Sequence, residues 1–166
     1  MDPAAELKEL LLRPPGWSVA AAESLTTGHV QAAIGAVSGA SNYFRGGLTA
    51  YTLEHKVRQL GVDRAAAEAS DCVSPVVAEQ MARGACALFG ADVAVATTGY
   101  AEPDPARAVR VPHAWWAVWH DLRNGRTAVR SGLIEVPGAT RTQVQATVAA
   151  AALVQLVNYL RAARAG

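Results

Sequence analysis

Fifteen strong bases occur in the chain, yet only two of them, Lys8 and Lys56, are lysines; the rest are arginines. The difference is chemically decisive, because a buried lysine can lose its proton near neutral pH and an arginine cannot. Lys56, five residues after Tyr51, is therefore a candidate base. Ser24, in the run AESLTTG (22–28), is a candidate nucleophile, inert until a base takes its proton. A desolvated lysine with a lowered pKa can be that base, and Tyr51 can relay the proton or hold the serine and lysine in line. Backbone amides of Thr26, Thr27 and Gly28 would point out of a helix start, favouring a phosphate or a developing oxyanion. Thr98 and Gly99 could line the same edge, and Arg45 and Arg141 could bind phosphate through paired N–H groups. Each stretch also has a plain structural explanation. Ser24 or Thr26 can simply cap a helix, Tyr51 can pack in a core, and Lys56 can sit solvated on a helix. Thr98–Gly99 can be an ordinary strand end, and arginines commonly decorate surfaces.

The elements that would position these groups alternate along the chain. Residues 4–13 read as a helix stopped by Pro14 and Pro15. WSVAAAE (17–23) is a short apolar run that fits a buried strand. TTGHVQAAIGAV then places Val30, Ala33, Ile34 and Val37 at helical spacing, and SGASNYF is a loop. GGLTAYT (46–52) has the bias of a strand, and EHKVRQLGV begins a short helix. Ser74 as N-cap and Pro75 at the first helical position open a helix through Val76, Val77, Met81, Ala85 and Leu88, closed by Gly90. DVAVATTG (92–99) is another buried strand, followed by a polar, proline-bearing loop. AWWAVWHDL and RTAVRSGLIEV flank Arg123-Asn124-Gly125, a strong hairpin signal. Alternation puts Trp115 and Trp119 opposite Trp116, as core against surface. A last helix from Thr140 to Ala163 carries Val144, Val148, Ala151, Ala152 and Leu156 on one side. The pattern predicts one α/β domain over residues 1–166, a three-layer α/β/α sandwich with a mixed, mostly parallel sheet including one β-hairpin. In such sheets ligands bind at the carboxyl ends of strands, where Ser24, Tyr51 and Thr98 fall.

Composition narrows the function classes. A formal net charge of +1, with scattered arginines and no basic–aromatic interleaving, argues against direct nucleic-acid binding. Cys72 and Cys86 lack metal or redox spacing and read as buried thiols; the four histidines show no ligand pattern, so no metal is expected. The acidic start is not a signal peptide, and no segment approaches a membrane span, so a cytoplasmic protein with no membrane partner is expected. The tryptophan-bearing hairpin and the alanine-rich helix suggest a homo-oligomer.

Taken together, the motifs resemble the C-terminal domain of the competence/damage-inducible CinA proteins, which also occurs as a stand-alone nicotinamide-nucleotide amidase. That family's pattern runs AESCTGG, YFRGG-x-x-AY-S-N-x-x-K, LLGV, VS-x-x-VA-x-x-MA, GAD, TGIAGP and KPVGTVW. The corresponding stretches here are AESLTTG, YFRGGLTAYTLEHK, QLGV, VSPVVAEQMA, GAD, TGYAEPDP and VRVPHAWW. The resemblance implies hydrolysis of nicotinamide mononucleotide to nicotinic acid mononucleotide and ammonia, with neither metal nor cofactor. It implies Ser24, Tyr51 and Lys56 as the catalytic trio, Thr98 and Arg141 at the substrate, and a small nucleotide as the partner molecule. Three departures stand out. Leu25 and Thr27 replace a cysteine and a glycine; Glu102-Pro103-Asp104-Pro105-Ala106 replaces a glycine-rich loop; and VRVPH replaces KPVGT. Glycines let a backbone approach a ligand closely, and Glu102 and Asp104 add negative charge where a phosphate would sit. The departures leave open a non-catalytic member that serves as a nucleotide-binding or interaction module. A short-chain dehydrogenase also uses serine, tyrosine and lysine. Its lysine follows tyrosine by four positions after a glycine-rich dinucleotide turn, and this chain has neither feature.

Overall fold

A computed structural model of the chain describes residues 2–165. The helices are α1 (Pro3–Leu12), α2 (His29–Gly35), α3 (Leu53–Leu60), α4 (Arg64–Ala69), α5 (Pro75–Phe89) and α6 (Arg141–Ala165). The strands are β1 (Val19–Glu23), β2 (Phe44–Thr49), β3 (Val93–Tyr100), β4 (His113–Asp121) and β5 (Thr127–Glu135), in one sheet of order β2-β1-β3-β4-β5. β1 pairs in parallel with β2 and β3, while β4 pairs antiparallel with β3 and β5. The sheet is thus mixed, its pairings split evenly between the two kinds, although only β4 runs against the common direction. The hairpin falls where expected: Leu122 N–H meets the Arg126 carbonyl at 3.0 Å around Arg123-Asn124-Gly125.

Helices cover both faces, and strand alternation sorts the core into two layers. Val19, Ala21, Val93, Val95 and Val118 face α1, α2 and α6. Ala20, Ala22, Ala94, Ala96 and Ala117 face α5, which meets them through Ala78, Met81, Ala82 and Ala85. Alanine on both sides lets α5 lie close to the sheet. Its caps are those read from sequence: the Ser74 hydroxyl accepts from Val77 N–H at 3.2 Å, and Gly90 closes the helix at φ +59.

Several expectations change. The tryptophans do not divide into core and surface: Trp116 packs on the α6 side and Trp115 and Trp119 on the α5 side, because helices blanket both faces. All three are partly buried. α2 starts at His29 rather than near Thr26, because Thr27 (φ +48) and Gly28 (φ +102) turn the chain left-handed first. α4 was not foreseen. The expectation that no segment approaches a membrane span is also corrected. α6, 25 residues long with an 18-residue window of mean hydropathy 1.3, is long and apolar enough by length and composition. In this fold its buried stripe, Val144, Val148, Ala152, Leu156 and Leu160, packs into the core. Cys86 is buried as expected, its thiol pushed up to about 12 chiefly by desolvation, whereas Cys72 is only half-buried.

Candidate active site

β1 ends at Glu23, and Ser24 follows at the carboxyl edge of the sheet, only 6% exposed. What fixes the turn after it is a buried carboxylate. Glu23 accepts from the amides of Gly28 (3.0 Å), Val30 (3.1 Å) and Gln31 (2.8 Å), tying the start of α2 back to β1. Thr27 N–H is spent on the Ser24 carbonyl at 3.1 Å. The helix-start amides expected to receive an anion are therefore already occupied at Thr27 and Gly28. Among the described residues the Leu25 and Thr26 amides have no acceptor, and Leu25 borders the cleft beside Ser24. Glu23→Ala strands three amide donors at the turn that carries Ser24. Hydrogen bonds to a charged group are worth about 1.5–3 kcal/mol each, so we expect a loss of at least roughly 3 kcal/mol in urea unfolding. A wild-type midpoint would show that Glu23 is no anchor.

Lys56 is presented by α3, which Thr52 caps by accepting from His55 N–H at 3.4 Å. Its side chain is 1% exposed. Nζ lies 3.0 Å from Ser24 Oγ, 2.9 Å from the Ala50 carbonyl and 3.3 Å from the Tyr51 carbonyl. An ammonium satisfies all three contacts by donating three hydrogens. A neutral amine satisfies them as well: two N–H groups serve the two carbonyls, and the remaining lone pair faces Ser24, whose O–H turns round to donate. The two carbonyls thus fix the direction in which a proton would move. Burial pushes the Lys56 pKa below its ordinary 10.5, and the nearby Cys72 and Asp71 push back.

The dyad opens into a cleft of about 490 Å³. Thr98 sits at its inner wall, its hydroxyl donating to the Cys72 carbonyl at 2.7 Å. Gly99 also borders the cleft, but the demand for glycine comes from behind: a Cβ there would overlap the His113 carbonyl of β4. Tyr51 stands at the rim, 49% exposed, its hydroxyl accepting from Arg141 Nη2 at 2.7 Å. Arg141 also faces Glu102 Oε2 at 3.4 Å. The far wall is the loop after β3. There Arg107 pairs with both Asp71 and Asp104, and Tyr100 Oη donates to Asp71 Oδ2 at 2.9 Å. Burial, the bond to Asp71 and the charge of Asp71 together hold Tyr100 up at about 12.

Of the residues singled out from sequence, Ser24, Tyr51, Lys56, Thr98, Gly99 and Arg141 share this cleft. Tyr51 does so differently from expectation. Its backbone carbonyl holds Lys56, while its hydroxyl bonds to Arg141 and to neither Ser24 nor Lys56. Four others do not line it. Thr26 is buried with its hydroxyl 2.7 Å from that of Thr97, and Thr27 and Gly28 turn away into the start of α2. Arg45 lies at the opposite end of β2, about 13 Å from Thr49 at the usual strand rise. Sequence reasoning missed Asp71, Cys72, Tyr100 and Arg107. Asp71 and Cys72 both adopt positive φ (+49 and +62) in a turn whose composition does not announce it. Among the described residues no cluster of histidine, cysteine, aspartate and glutamate could hold a metal ion.

An α/β sandwich with a buried serine–lysine pair at the carboxyl edge of its parallel strands is thus the class that fold and site define. The sequence profile of the CinA C-terminal domain matches residues 2–160. A CinA-like protein of Chlorobium limicola is 38% identical over 145 residues, covering 87% of this chain and 34% of its own length. The crystal structure of competence/damage inducible protein CihA from Agrobacterium tumefaciens is similar at 28% identity and a TM-score of 0.77, covering 97% of this chain and 96% of that one. A CinA superfamily protein from Klebsiella pneumoniae shares the fold, with a TM-score of 0.83 at 23% identity over 96% of each chain. The chain belongs to the CinA C-terminal domain family, and it spans about a third of the length of the curated relatives it matches.

Proposed function

We propose that this chain is a linear-amide hydrolase in which Lys56 activates Ser24. The single observation that carries the reading is the buried Nζ 3.0 Å from Ser24 Oγ, with its other contacts spent on two carbonyls. The Ser24 proton passes to neutral Lys56 as Oγ bonds to the carboxamide carbon. The oxyanion that develops meets the Leu25 amide. Lys56 then returns the proton to the amide nitrogen, the C–N bond breaks, and ammonia leaves a Ser24 ester. Water gives a proton to Lys56 and its oxygen to the carbonyl. The ester bond breaks, and Lys56 hands the proton back to Ser24. The resemblance to nicotinamide-nucleotide amidases supports a pyridinium carboxamide, nicotinamide mononucleotide or a close relative, as substrate. Tyr51 and Arg141 form a bonded pair at the rim, placed to hold that substrate rather than to move the serine proton. Release of ammonia from nicotinamide mononucleotide and other pyridinium carboxamides, lost in Ser24→Ala, is the direct assay. One observation favours the non-catalytic module instead: both cleft arginines are already engaged by carboxylates. That reading requires no Lys56-dependent turnover of any amide.

The sign of the pH dependence follows from the base. Only neutral Lys56 accepts the proton, so kcat/KM rises with pH through a Lys56 pKa that burial places below 10.5. Asp71 holds that pKa up, so Asp71→Asn lowers it further and moves the rising limb to lower pH. A limb that moves to higher pH in the variant would contradict Lys56 as the base.

A further inference from the structure

The charges around the cleft set which amide it can accept. Its lining carries three cationic side chains, Lys56, Arg107 and Arg141, and three carboxylates, Asp71, Glu102 and Asp104. Arg107 is shared between two of the carboxylates and Arg141 faces the third. With Lys56 neutral, as proton abstraction requires, the lining carries a net charge of −1. A phosphate dianion entering it meets no unpaired cation. Drawing Arg107 or Arg141 onto the phosphate does not help, because the carboxylate released stays in the same cleft. A pyridinium ring meets the opposite situation. Its positive charge faces surplus carboxylate, and Tyr100 and the exposed Tyr51 border the same space, aromatic side chains of the kind that attract a cation. The effect on the base runs the same way. A cationic ring beside Lys56 favours its neutral form, whereas a phosphate there would hold it protonated.

Building on the amidase reading, we propose that this cleft selects a carboxamide borne on a cationic or neutral body without phosphate: the nucleoside form of the pyridinium carboxamide rather than the nucleotide. Glu102 and Asp104, where the family pattern has glycine-rich backbone, are the specificity-determining residues. Asp71 supports them by fixing Arg107 and Tyr100.

The test is equilibrium binding by titration calorimetry to the Ser24→Ala protein, which holds ligand without turning it over. The ligands are nicotinamide riboside and nicotinamide mononucleotide, which share ring, carboxamide and ribose. The riboside is expected to bind at least about tenfold more tightly, since like-charge juxtaposition is the larger cost. Adding Glu102→Gln and Asp104→Asn is expected to reduce that ratio by at least about tenfold, mostly through gain by the mononucleotide. Glu102→Gln alone, on an exposed side chain, moves it in the same direction and guards against a misfolded double variant. Equal affinity, preference for the mononucleotide, a ratio unmoved by the variants, or no binding of either ligand overturns the proposal. Ammonia release by the wild-type protein runs in parallel and separates the two claims. Retained riboside preference without release ends the amidase reading and leaves the selectivity standing. Release with mononucleotide preferred does the reverse.

Discussion

Lys56→Met is expected to lower kcat/KM for amide hydrolysis by roughly 10²–10⁴-fold, the usual contribution of a positioned general base. Ser24→Ala is expected to cost at least as much. The double variant should be scarcely worse than the poorer single one, because a base without its nucleophile has nothing to activate. The comparison that gives the result meaning is stability. Methionine fills a volume similar to that of lysine but leaves the Ala50 and Tyr51 carbonyls without their donor, so thermal unfolding is measured beside activity. The folded state depresses the Lys56 pKa, so it binds that proton less tightly than the unfolded chain does. The protonated side chain therefore disfavours folding at pH values below its folded pKa. That penalty fades as pH rises through the folded pKa towards 10.5, and stability rises with it. Lys56→Met abolishes this slope. Ammonia release at the wild-type rate from Lys56→Met would end the serine–lysine mechanism, whatever the unfolding curves show.

How much of this was legible in the sequence depends on how local the cause is. Caps and turns were: Ser74-Pro75 opens α5, Gly90 ends it, and Asn124-Gly125 turns the hairpin, each acting within a few residues. The rarity of lysine pointed to Lys56 because a composition bias makes the exception visible. The turn at Thr26–Gly28 resembles a helix start because nothing local reveals that Glu23, eight residues before Gln31, takes the amides first. Arg45 lies away from the cleft for a related reason. It sits close to Tyr51 in sequence, but an extended strand converts four residues into about 13 Å. The far wall was invisible because its members come from two turns, 71–73 and 100–107, that meet only once β3 lies beside β1 and α5 has crossed the sheet. Tyr51 shows a finer limit. Its type suggested a reacting hydroxyl, whereas its backbone carbonyl does the holding.

The distance on which the mechanism depends is expected to respond to a residue with no chemistry of its own. Gly84 lies in α5 where the end of α3 crosses it, and a Cβ added there would overlap the Leu60 backbone: its carbonyl oxygen, carbonyl carbon and Cα. Backbone cannot swing aside as a side chain can. The last turn of α3 must move, and that turn is tied to Lys56: the amides of Gly61 and Val62 both donate to the Lys56 carbonyl, the latter at 3.2 Å. Gly84→Ala is therefore expected to destabilise the fold by about 2–3 kcal/mol, towards the upper end for overpacking. It should also cut kcat/KM by roughly 10²-fold by carrying Nζ away from Ser24, as a displacement of about 1 Å can do. Gly35→Ala is the control. Gly35 also lies in a helix, but its added methyl would meet only the Phe44 ring, at 3.9 Å. There the gain in helix propensity, up to about 1 kcal/mol, is expected to leave stability unchanged or raised. The two substitutions are chemically identical, and pattern alone cannot rank them. Opposite signs in unfolding, with activity lost only in Gly84→Ala, would show that α5 sets the serine–lysine distance through backbone contact. Equal behaviour of the pair would show that α3 tolerates the shift and that Lys56 is held by its carbonyl partners alone.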